Sequence, residues 1–234
     1  MSGSISNRII TKGLIFYVDS ANPNSLLSGS TSWNNLVSDV SSGSLLNGVD
    51  YDTSNAGSAS FDGTNDLVSF SGINNLTSFS VSVWFKMVGP GSTGGFTNTY
   101  YNSLFGINGT RRILVSTSAF TGKTEGTILV QMGGSDYFSD NNTSGITTTN
   151  SWNNIVYTFS PNTANMYVNG IIQTSQSNSS VTFPNNPFYL GAYNNPITAY
   201  AMKGNISQCL IYNRALTNTE VSQNFNALRE RYKI

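Results

Sequence analysis

The stretch SFSVSVWFKMV, residues 78–88, constrains the fold more than any other part of the sequence. Its apolar residues alternate with the rest, so that one face of an extended chain carries Phe79, Val81, Val83, Phe85 and Met87. The opposite face carries Ser80, Ser82, Trp84 and Lys86. A period of two residues is typical of a β-strand with one face in a core.

Comparable runs along the chain predict further strands. They are GLIFYVDS (13–20), two short strands in SASFDGTNDLVSF (58–70), SLFGIN (103–108), RRILVSTS (111–118), GTILVQM (126–132), SWNNIVYTFS (151–160), NMYVNGIIQ (165–173), FYLGAY (188–193) and NISQCLIYN (205–213). Asn169 and Gly170 predict a two-residue hairpin turn, because both positions tolerate positive φ. Residues 20–58 are expected to form a long loop anchored by Trp33 and Leu36. Many strands with turns between them, and no alternating helices, predict an antiparallel sandwich.

One helix is predicted, at the C-terminal end. Thr217 and Glu220 have the spacing of a capping box, in which the hydroxyl accepts from the Glu220 amide and the carboxylate reaches back. Leu216 and Val221 are placed for a hydrophobic staple, and Val221, Phe225 and Leu228 then form a helical stripe. We therefore expect a helix over about residues 218–230 that lies against the sandwich.

The composition combines strong polarity with many aromatic residues. The chain has 31 Asn and 35 Ser among its 234 residues, and 12% of the chain is aromatic. This mixture favours short strands under polar loops over disorder, and it is common in secreted glycan-binding modules and in phage virion proteins. Net charge is zero and only 9% of residues are charged, so we expect no nucleic-acid partner. The single cysteine, Cys209, is interpreted as a small buried hydrophobe.

The N-terminal residues 1–12 are polar and lack periodicity, and we expect them to form a flexible arm. They lack the apolar core of a signal peptide, and no run of the chain is long and apolar enough to suggest membrane insertion. No interior linker marks a second domain. Residues 13–234 are therefore expected to form one domain that includes the C-terminal helix.

Four segments, in order, carry a family resemblance. They are GLIFYVDSANPNS; SASFDGTNDLVSF with the strand SFSVSVWFKM; SWNNIVYTFSPNTANMYVNGIIQ; and FYLGAYNN with KGNISQCLIYNRALTNTEVSQNF. Together they span about residues 13–230, and the chain resembles a concanavalin A-like lectin/glucanase jelly roll of the laminin G-like, pentraxin-related kind. The resemblance implies an all-β antiparallel sandwich with one short C-terminal helix, and says much less about function.

Glycosidases of this fold carry acidic residues at alternate positions of one strand, since the reaction needs two carboxyl groups at a fixed separation. The chain has three Glu: Glu220 belongs to the capping box, Glu230 ends the helix and Glu125 lies in a loop. Asp50 and Asp52 do alternate, but we interpret them as turn or solvent-facing residues. The chain contains no His, which excludes Ser-His and His-metal catalysis. We expect a protein that is not an enzyme.

Pentraxin-like relatives bind calcium near the position of the GTND turn, and calcium takes six to eight oxygen ligands. The resemblance implies Asn65 and Asp66 as one group of ligands and Asn194 and Asn195 as the second, where the family has acids. Calcium is thus the candidate cofactor. The alternative for Asp62 and Asp66 is turn stabilisation through Asx-type hydrogen bonds. Asp136 and Asp140 form another candidate pair with the same alternative.

Sugar binding needs an aromatic face for sugar C–H groups and polar partners for hydroxyls. Three loops combine these features, and the candidate glycan-binding residues in them are Tyr100, Tyr101, Asp136, Tyr137, Tyr193 and Asn194. Tyr200 lies beyond the last of these loops. The alternative is that they are ordinary soluble loops, because Tyr and Asn are frequent everywhere in this chain.

Three functions remain open. The first is a non-catalytic virion surface protein whose lectin-like domain adheres to host glycans. The second is a capsid decoration or cement protein that makes only protein–protein contacts and docks through residues 1–12. The third is a glycoside hydrolase or lyase. We expect homo-oligomers and a location on the virion, with an extracellular location as the alternative.

Overall fold

Two antiparallel β-sheets pack face to face in the computed structural model. The structure describes residues 8–37, 42–93, 100–107, 111–119, 123–133, 136–138, 146, 150–177, 181–197 and 199–234. One helix, α1 (Asn218–Tyr232), lies outside the sheets. The predicted all-β antiparallel sandwich with a C-terminal helix is confirmed.

Sheet A contains eight described strands. They are β1 (Leu14–Asp19), β4 (Asp50–Asp52), β5 (Ser58–Asp62), β7 (Phe79–Met87), β13 (Trp152–Ser160), β14 (Thr163–Val168), β15 (Ile171–Gln176) and β17 (Lys203–Tyr212). The order is β15-β14-β13-β7-β17-β5-β4, and β1 pairs with the later half of β17. The two strands with the strongest apolar patterns, β7 and β17, lie side by side at its centre.

Sheet B contains nine described strands. They are β2 (Ser32–Trp33), β3 (Gly43–Leu46), β6 (Leu67–Phe70), β8 (Ser92–Thr93), β9 (Tyr100–Ile107), β10 (Arg111–Ser116), β11 (Ile128–Met132), β12 (Asp136–Phe138) and β16 (Phe188–Leu190). The order is β12-β11-β10-β9-β16-β6-β3-β2, with β8 paired to β9. The loop expected over residues 20–58 in fact contains β2, β3, β4 and the short 3-10 helix Ser54–Ala56. These strands are too short to show alternation.

The main core lies between the two sheets and follows the period of two residues. All five apolar residues on the predicted inner face of β7 are buried in it. Sheet B contributes aromatic rings, and Phe70 stacks on Phe188 with ring centroids 5.0 Å apart. Cys209 is fully buried in the same core and unpaired, and burial raises the pKa of its thiol well above the usual range. It is an inert core residue, as expected.

Helix α1 covers the outer face of sheet A. Trp84 points out of the core, and Tyr232 and Phe225 stack on it with centroids 4.2 and 5.6 Å away. The capping box is present, with the Glu220 N–H donating to Thr217 Oγ1 and the Thr217 N–H donating to Glu220 Oε2 at 2.9 Å. The helix extends two residues beyond its predicted end.

Part of the predicted N-terminal arm packs on the same outer face. Within residues 1–12 the structure describes residues 8–12, and Ile9 and Ile10 join an apolar cluster with Val221 and Tyr212. The Ile10 N–H donates to Asn224 Oδ1 at 2.7 Å, and the Ile10 carbonyl accepts from the Tyr212 hydroxyl at 2.9 Å. The helix and this segment therefore close one face of the sandwich and leave the outer face of sheet B as the other large surface.

Candidate functional site

A row of paired residues crosses the outer face of sheet B. In strand order it consists of Ser32, Ser44, Ser69, Tyr189, Gly106, Arg112, Gln131 and Asp136. Residues directly opposite one another in antiparallel strands share a face of the sheet. The neighbouring row, which includes Val68, Leu190, Phe105, Ile113 and Val130, is apolar and faces the core. Gly106 and Tyr189 in the middle of the outer row are buried, and the described side chains on either side of them are polar. We call this row the polar row.

Residues 191–197 and 199–202 lie over the middle of the polar row, and we call them together the cover loop. Gly106 in β9 permits this approach, because a Cβ atom there would lie 2.1 Å from the Cα atom of Tyr193. Gly191 has a positive φ of 81°, and a side chain at this position would meet the Phe61 ring. Both glycines are needed for the loop to rest directly on the sheet.

Hydrogen bonds close the cover loop on itself and tie it to strands β8 and β9 of sheet B. The Met202 N–H donates to the Gly191 carbonyl at 3.0 Å, and the Ser103 N–H donates to the Tyr200 carbonyl at 3.1 Å. The Ala201 N–H donates to Ser92 Oγ at 2.8 Å. Tyr200 is held at a φ of +59°, a conformation that costs a non-glycine residue about 1 kcal/mol or more. These contacts fix the loop before any ligand arrives.

Arg112 is the central charged group of this surface. Its guanidinium carbon lies 5.4 Å from the Tyr193 ring centre and 5.5 Å from that of Tyr200. Cation–π attraction at such distances is worth about 0.5–2 kcal/mol, depending on desolvation. Arg112 and Tyr193 are both half-buried, as is Gln131 next to Arg112 in the polar row. The surface therefore presents an oriented cation, an amide and part of an aromatic ring.

The predicted glycan-binding residues are distributed unevenly around this surface. Tyr193 and Asn194 lie on the cover loop, half-buried. Tyr101 is fully buried beneath Tyr200, with ring centroids 5.4 Å apart, so it supports the loop and offers no ring face to a ligand in this conformation. Tyr100 is 42% exposed and pairs with Thr93 at the far end of β9.

Two further candidates lie in strand β12, where only the backbone is described. Asp136 stands opposite Gln131 in the polar row, and Tyr137 stands opposite Val130 in the core-facing row. Asp140 lies outside the described residues. The structure thus brings Tyr193, Asn194 and the backbone of Asp136 to one face.

The predicted metal residues fall in two segments that meet at one end of the same face. Leu67, directly after Asp66, packs with Ala192 and Ile197 of the cover loop. Asn65 and Asn195 are exposed and Asn194 is half-buried, whereas Asp66 is buried. The Asn65 carbonyl accepts from Asn47 Nδ2 at 2.8 Å.

Asp66 combines the features of a turn residue and of a cation ligand. Its Oδ2 accepts from the Asp62 N–H at 2.9 Å, as expected of an Asx-type turn. Its Oδ1 is buried and has no hydrogen-bond partner within the described residues. Burial raises the pKa of Asp66, and the nearby Asp62 carboxylate raises it as well, against the lowering effect of that N–H. A hard cation would satisfy the second oxygen, so this part of the site fits calcium.

The rest of the predicted ligand set supplies neutral oxygens. In the part of the chain that the structure describes, no group of three or more His, Cys, Asp or Glu side chains could hold a metal ion. Any cation here would depend on amide and backbone oxygens in addition to Asp66.

Sequence reasoning did not identify Arg112 or Gln131 as site residues. The adjacent pair Arg111 and Arg112 is visible in the sequence, and alternation in RRILVS places Arg112 on the face opposite Ile113. The signal that would have found it is this alternation combined with the strand pairing, which only the fold supplies.

No helix of the described residues is long and apolar enough to cross a membrane.

The profile of one family, Laminin_G_3 of the concanavalin A-like lectin/glucanases superfamily, matches residues 62–222. The chain belongs to this family. The matched segment contains the polar row from Ser69 to Asp136, the cover loop and the start of helix α1. Among the curated proteins, none matches the chain.

Three solved structures illustrate the fold. Domain 4 of AbnA, a GH43 extracellular arabinanase from Geobacillus stearothermophilus, in complex with arabinotriose, is 18% identical with a TM-score of 0.66, and the match covers 90% of this chain and 97% of that one. A Trypanosoma rangeli sialidase is 12% identical with a TM-score of 0.68, covering 97% of this chain and 34% of the sialidase. The botulinum neurotoxin serotype D binding domain is 15% identical with a TM-score of 0.62, covering 91% and 51%.

This laminin G-like chain therefore spans nearly all of the arabinanase domain, but only about a third of the sialidase and half of the neurotoxin fragment. At these identities the comparisons show the fold alone. The fold is lectin-like and is shared by carbohydrate-binding proteins and glycosidases. The phage or viral origin expected from the composition stays a prediction.

Proposed function

We propose that this protein is a non-catalytic carbohydrate-binding module whose ligand lies beside Tyr193 on the outer face of sheet B. The observation that carries the proposal is Arg112, held against the rings of Tyr193 and Tyr200 in a polar row with Gln131. A sugar would place C–H groups on the accessible part of the Tyr193 ring and accept hydrogen bonds from the guanidinium and amide groups.

Preorganisation supports this assignment over an incidental polar surface. The cover loop rests on Gly106 and is held to the sheet by the hydrogen bonds of Tyr200 to Ser103 and of Ala201 to Ser92. A surface that is already ordered loses less entropy when it binds. A shallow, rigid and polar face with one aromatic ring is suited to an oligosaccharide, which offers many hydroxyls and little apolar area.

Binding without hydrolysis is part of the proposal. Glycosidic cleavage needs two carboxyl groups flanking the bond, and the carboxylate of Glu220 is already engaged by Arg214 through two hydrogen bonds of 2.7 Å. Glu230 lies in α1, on the outer face of sheet A. Asp52 accepts from Asn205 Nδ2 at 3.1 Å and is likewise in sheet A. Hydrolysis of any polysaccharide by the pure protein would contradict this part.

Calcium at Asp66 is a further element of the proposal. The buried Oδ1 atom of Asp66 would be one ligand, with oxygen atoms of Asn65, Asn194 and Asn195 as the others. A bound calcium ion would supply positive charge that links the 63–66 turn to the cover loop. Asn194 and Asn195 would then orient Tyr193, which precedes them in the chain. Tyr193 also follows Ala192, which packs against Leu67.

We place the module on a virion surface, where it adheres to host glycans. The Ser- and Asn-rich composition supports the placement. The fold shared with the arabinanase domain, which was solved in complex with arabinotriose, supports a glycan as the ligand. A capsid decoration protein is the second candidate. The exposed Ile171 and Ile172 on β15, an edge of the described part of sheet A, favour a protein contact and self-association.

The test is a glycan array probed with the intact protein, with the variant Arg112→Gln and with the control variant Lys12→Gln. Arrays are run once with calcium and once with chelator. We expect binding that Lys12→Gln retains and that Arg112→Gln weakens about tenfold, as for loss of a charged hydrogen-bond donor. Equal binding by Arg112→Gln would contradict the site. A blank array together with a stable oligomer would favour the decoration protein.

A further inference from the structure

A second concave surface lies on the opposite side of the molecule, between helix α1 and the hairpin turn of β14 and β15. We call it the helix–turn groove. It has a volume of about 250 Å³ and is lined by Asn169, Gly170, Ile171, Ser222, Phe225, Asn226 and Arg229. The helical residues 222, 225, 226 and 229 fall on one face of α1, as their spacing requires.

The shape of the groove is set by rigid elements. The turn residues Asn169 and Gly170 have φ values of 49° and 78°, the conformation of a two-residue hairpin turn. A Cβ atom at Gly170 would lie 2.9 Å from the Phe225 ring, so glycine lets the turn touch the helix. Phe225 in turn stacks parallel to Trp84. The ring is fixed between these neighbours, and it gives the groove a firm apolar wall.

The polar groups around this wall are hydrogen-bond donors that a ligand can use. Asn169 uses its Oδ1 atom to accept from the Asn154 N–H at 2.8 Å, which leaves its Nδ2 group for other use. Within the described residues, no hydrogen bond engages the side chains of Asn226 and Arg229. Two amide groups and a guanidinium therefore border the same groove.

The charge of Arg229 is the feature that selects a ligand. Arg214 is paired with Glu220, and Arg231 is paired with Asp19, both at 2.7 Å. Arg229 has no such pair in the described part of the chain, and none of the residues lining the groove is acidic. A planar guanidinium presents parallel N–H groups that match a carboxylate.

We propose that the helix–turn groove binds the carboxylate of an acidic sugar. Arg229 holds the carboxylate, Asn226 and Asn169 donate to ring or hydroxyl oxygens, and the sugar ring lies against the edge of Phe225. The volume exceeds what a bare carboxylate fills. This site is separate from the one beside Tyr193 and is tested independently of it, since the two lie outside different sheets. With both sites, an acidic polysaccharide could be bound at two points.

The experiment is an NMR titration of the ¹⁵N-labelled full-length protein with glucuronate, and in parallel with glucose and with acetate. We expect saturable shifts of the amides of residues 169–171 and 222–229 with glucuronate. Glucose lacks the charge and acetate lacks the ring, so each is expected to bind at least about fivefold more weakly. Acetate binding as tightly as glucuronate would contradict a sugar site, as would an absence of shifts in the groove.

The variant Arg229→Gln tests the assigned residue, and Arg8→Gln serves as a matched control outside the groove. Arg229→Gln is expected to weaken glucuronate binding about tenfold, whereas Arg8→Gln leaves it unchanged. Unchanged tryptophan fluorescence and melting temperature in Arg229→Gln establish that the fold is retained. Arg112→Gln is expected to leave the groove titration unaltered. Equal loss in Arg112→Gln and Arg229→Gln would contradict a separate site.

Discussion

At the scale of single residues, two glycines decide where the candidate glycan surface lies. Gly106 lets the backbone of Tyr193 touch the sheet, and Gly191 lets the chain pass close to the Phe61 ring at a positive φ. The sequence shows both residues, but their role depends on which strands are neighbours. Tyr193 and Asn194 could therefore be predicted from the local mixture of aromatic and amide groups, whereas Arg112 could not.

Asp66 gives a prediction at this scale. Its buried Oδ1 atom has no hydrogen-bond partner among the described residues. An unsatisfied buried polar atom costs about 1–3 kcal/mol, and a charged one costs more, so Asn at this position removes the charged part of the cost. In chelator, Asp66→Asn is therefore expected to raise the free energy of unfolding at pH 7 by about 1 kcal/mol. With calcium in excess, the original protein gains stability and the variant does not. Urea unfolding with and without calcium measures both effects.

Asp50→Asn is the control for the calcium effect, because Asp50 is exposed in sheet A and accepts from its neighbouring Tyr51 N–H. This variant is expected to keep any stabilisation by calcium. If the Asp66→Asn variant is stabilised by calcium as much as the original protein is, Asp66 is not a calcium ligand and the prediction is wrong.

At the scale of secondary-structure elements, the strands with alternating patterns were predictable and the short ones were not. β7 and the hairpin at Asn169 and Gly170 follow from alternation and turn chemistry. β2, β3 and β4 have two to four residues each, and pairing with neighbouring strands of the folded sheets holds them in place. The cover loop was visible only as FYLGAY followed by turn residues, so its position over sheet B came from the fold.

Helix α1 gives a prediction about pH. Hydrogen bonds from Arg214, together with the Thr217 N–H, lower the pKa of Glu220 to about 2 despite partial burial. A carboxyl group with a lowered folded pKa stabilises the protein above its unfolded pKa and loses that contribution as pH falls. Glu220→Gln is therefore expected to cost about 1 kcal/mol at pH 7. The difference should shrink between about pH 4.5 and pH 2.

The measurement is the free energy of unfolding of both proteins across this pH range. Glu230→Gln is the matched control, because Glu230 is exposed near the C-terminal end of the same helix. A negative charge there opposes the helix dipole, so its removal is expected to be neutral or slightly stabilising. An equal loss at pH 7 for both variants would contradict the role assigned to the capping box.

At the scale of the whole molecule, the sandwich has one covered outer face and one polar outer face. Helix α1 and residues 8–12 close sheet A, and the cover loop closes only part of sheet B. The family and the fold were predictable from four short segments in order, because each reports a strand or turn of the common architecture. The ligand was not predictable from the sequence, because the same fold is used for both sugar binding and hydrolysis. The side chains that would contact a ligand also come from separate strands.

The most direct test of the central claim is to locate a bound oligosaccharide on the intact protein by ¹⁵N NMR. The titrant is the neutral glycan with the strongest signal on the array. We predict saturable shifts of the amides of Arg112, Gln131, Tyr193 and Asn194, with those of α1 unchanged. Shifts confined to other surfaces, with residues 112, 131 and 193 unaffected, would contradict a glycan site on the outer face of sheet B.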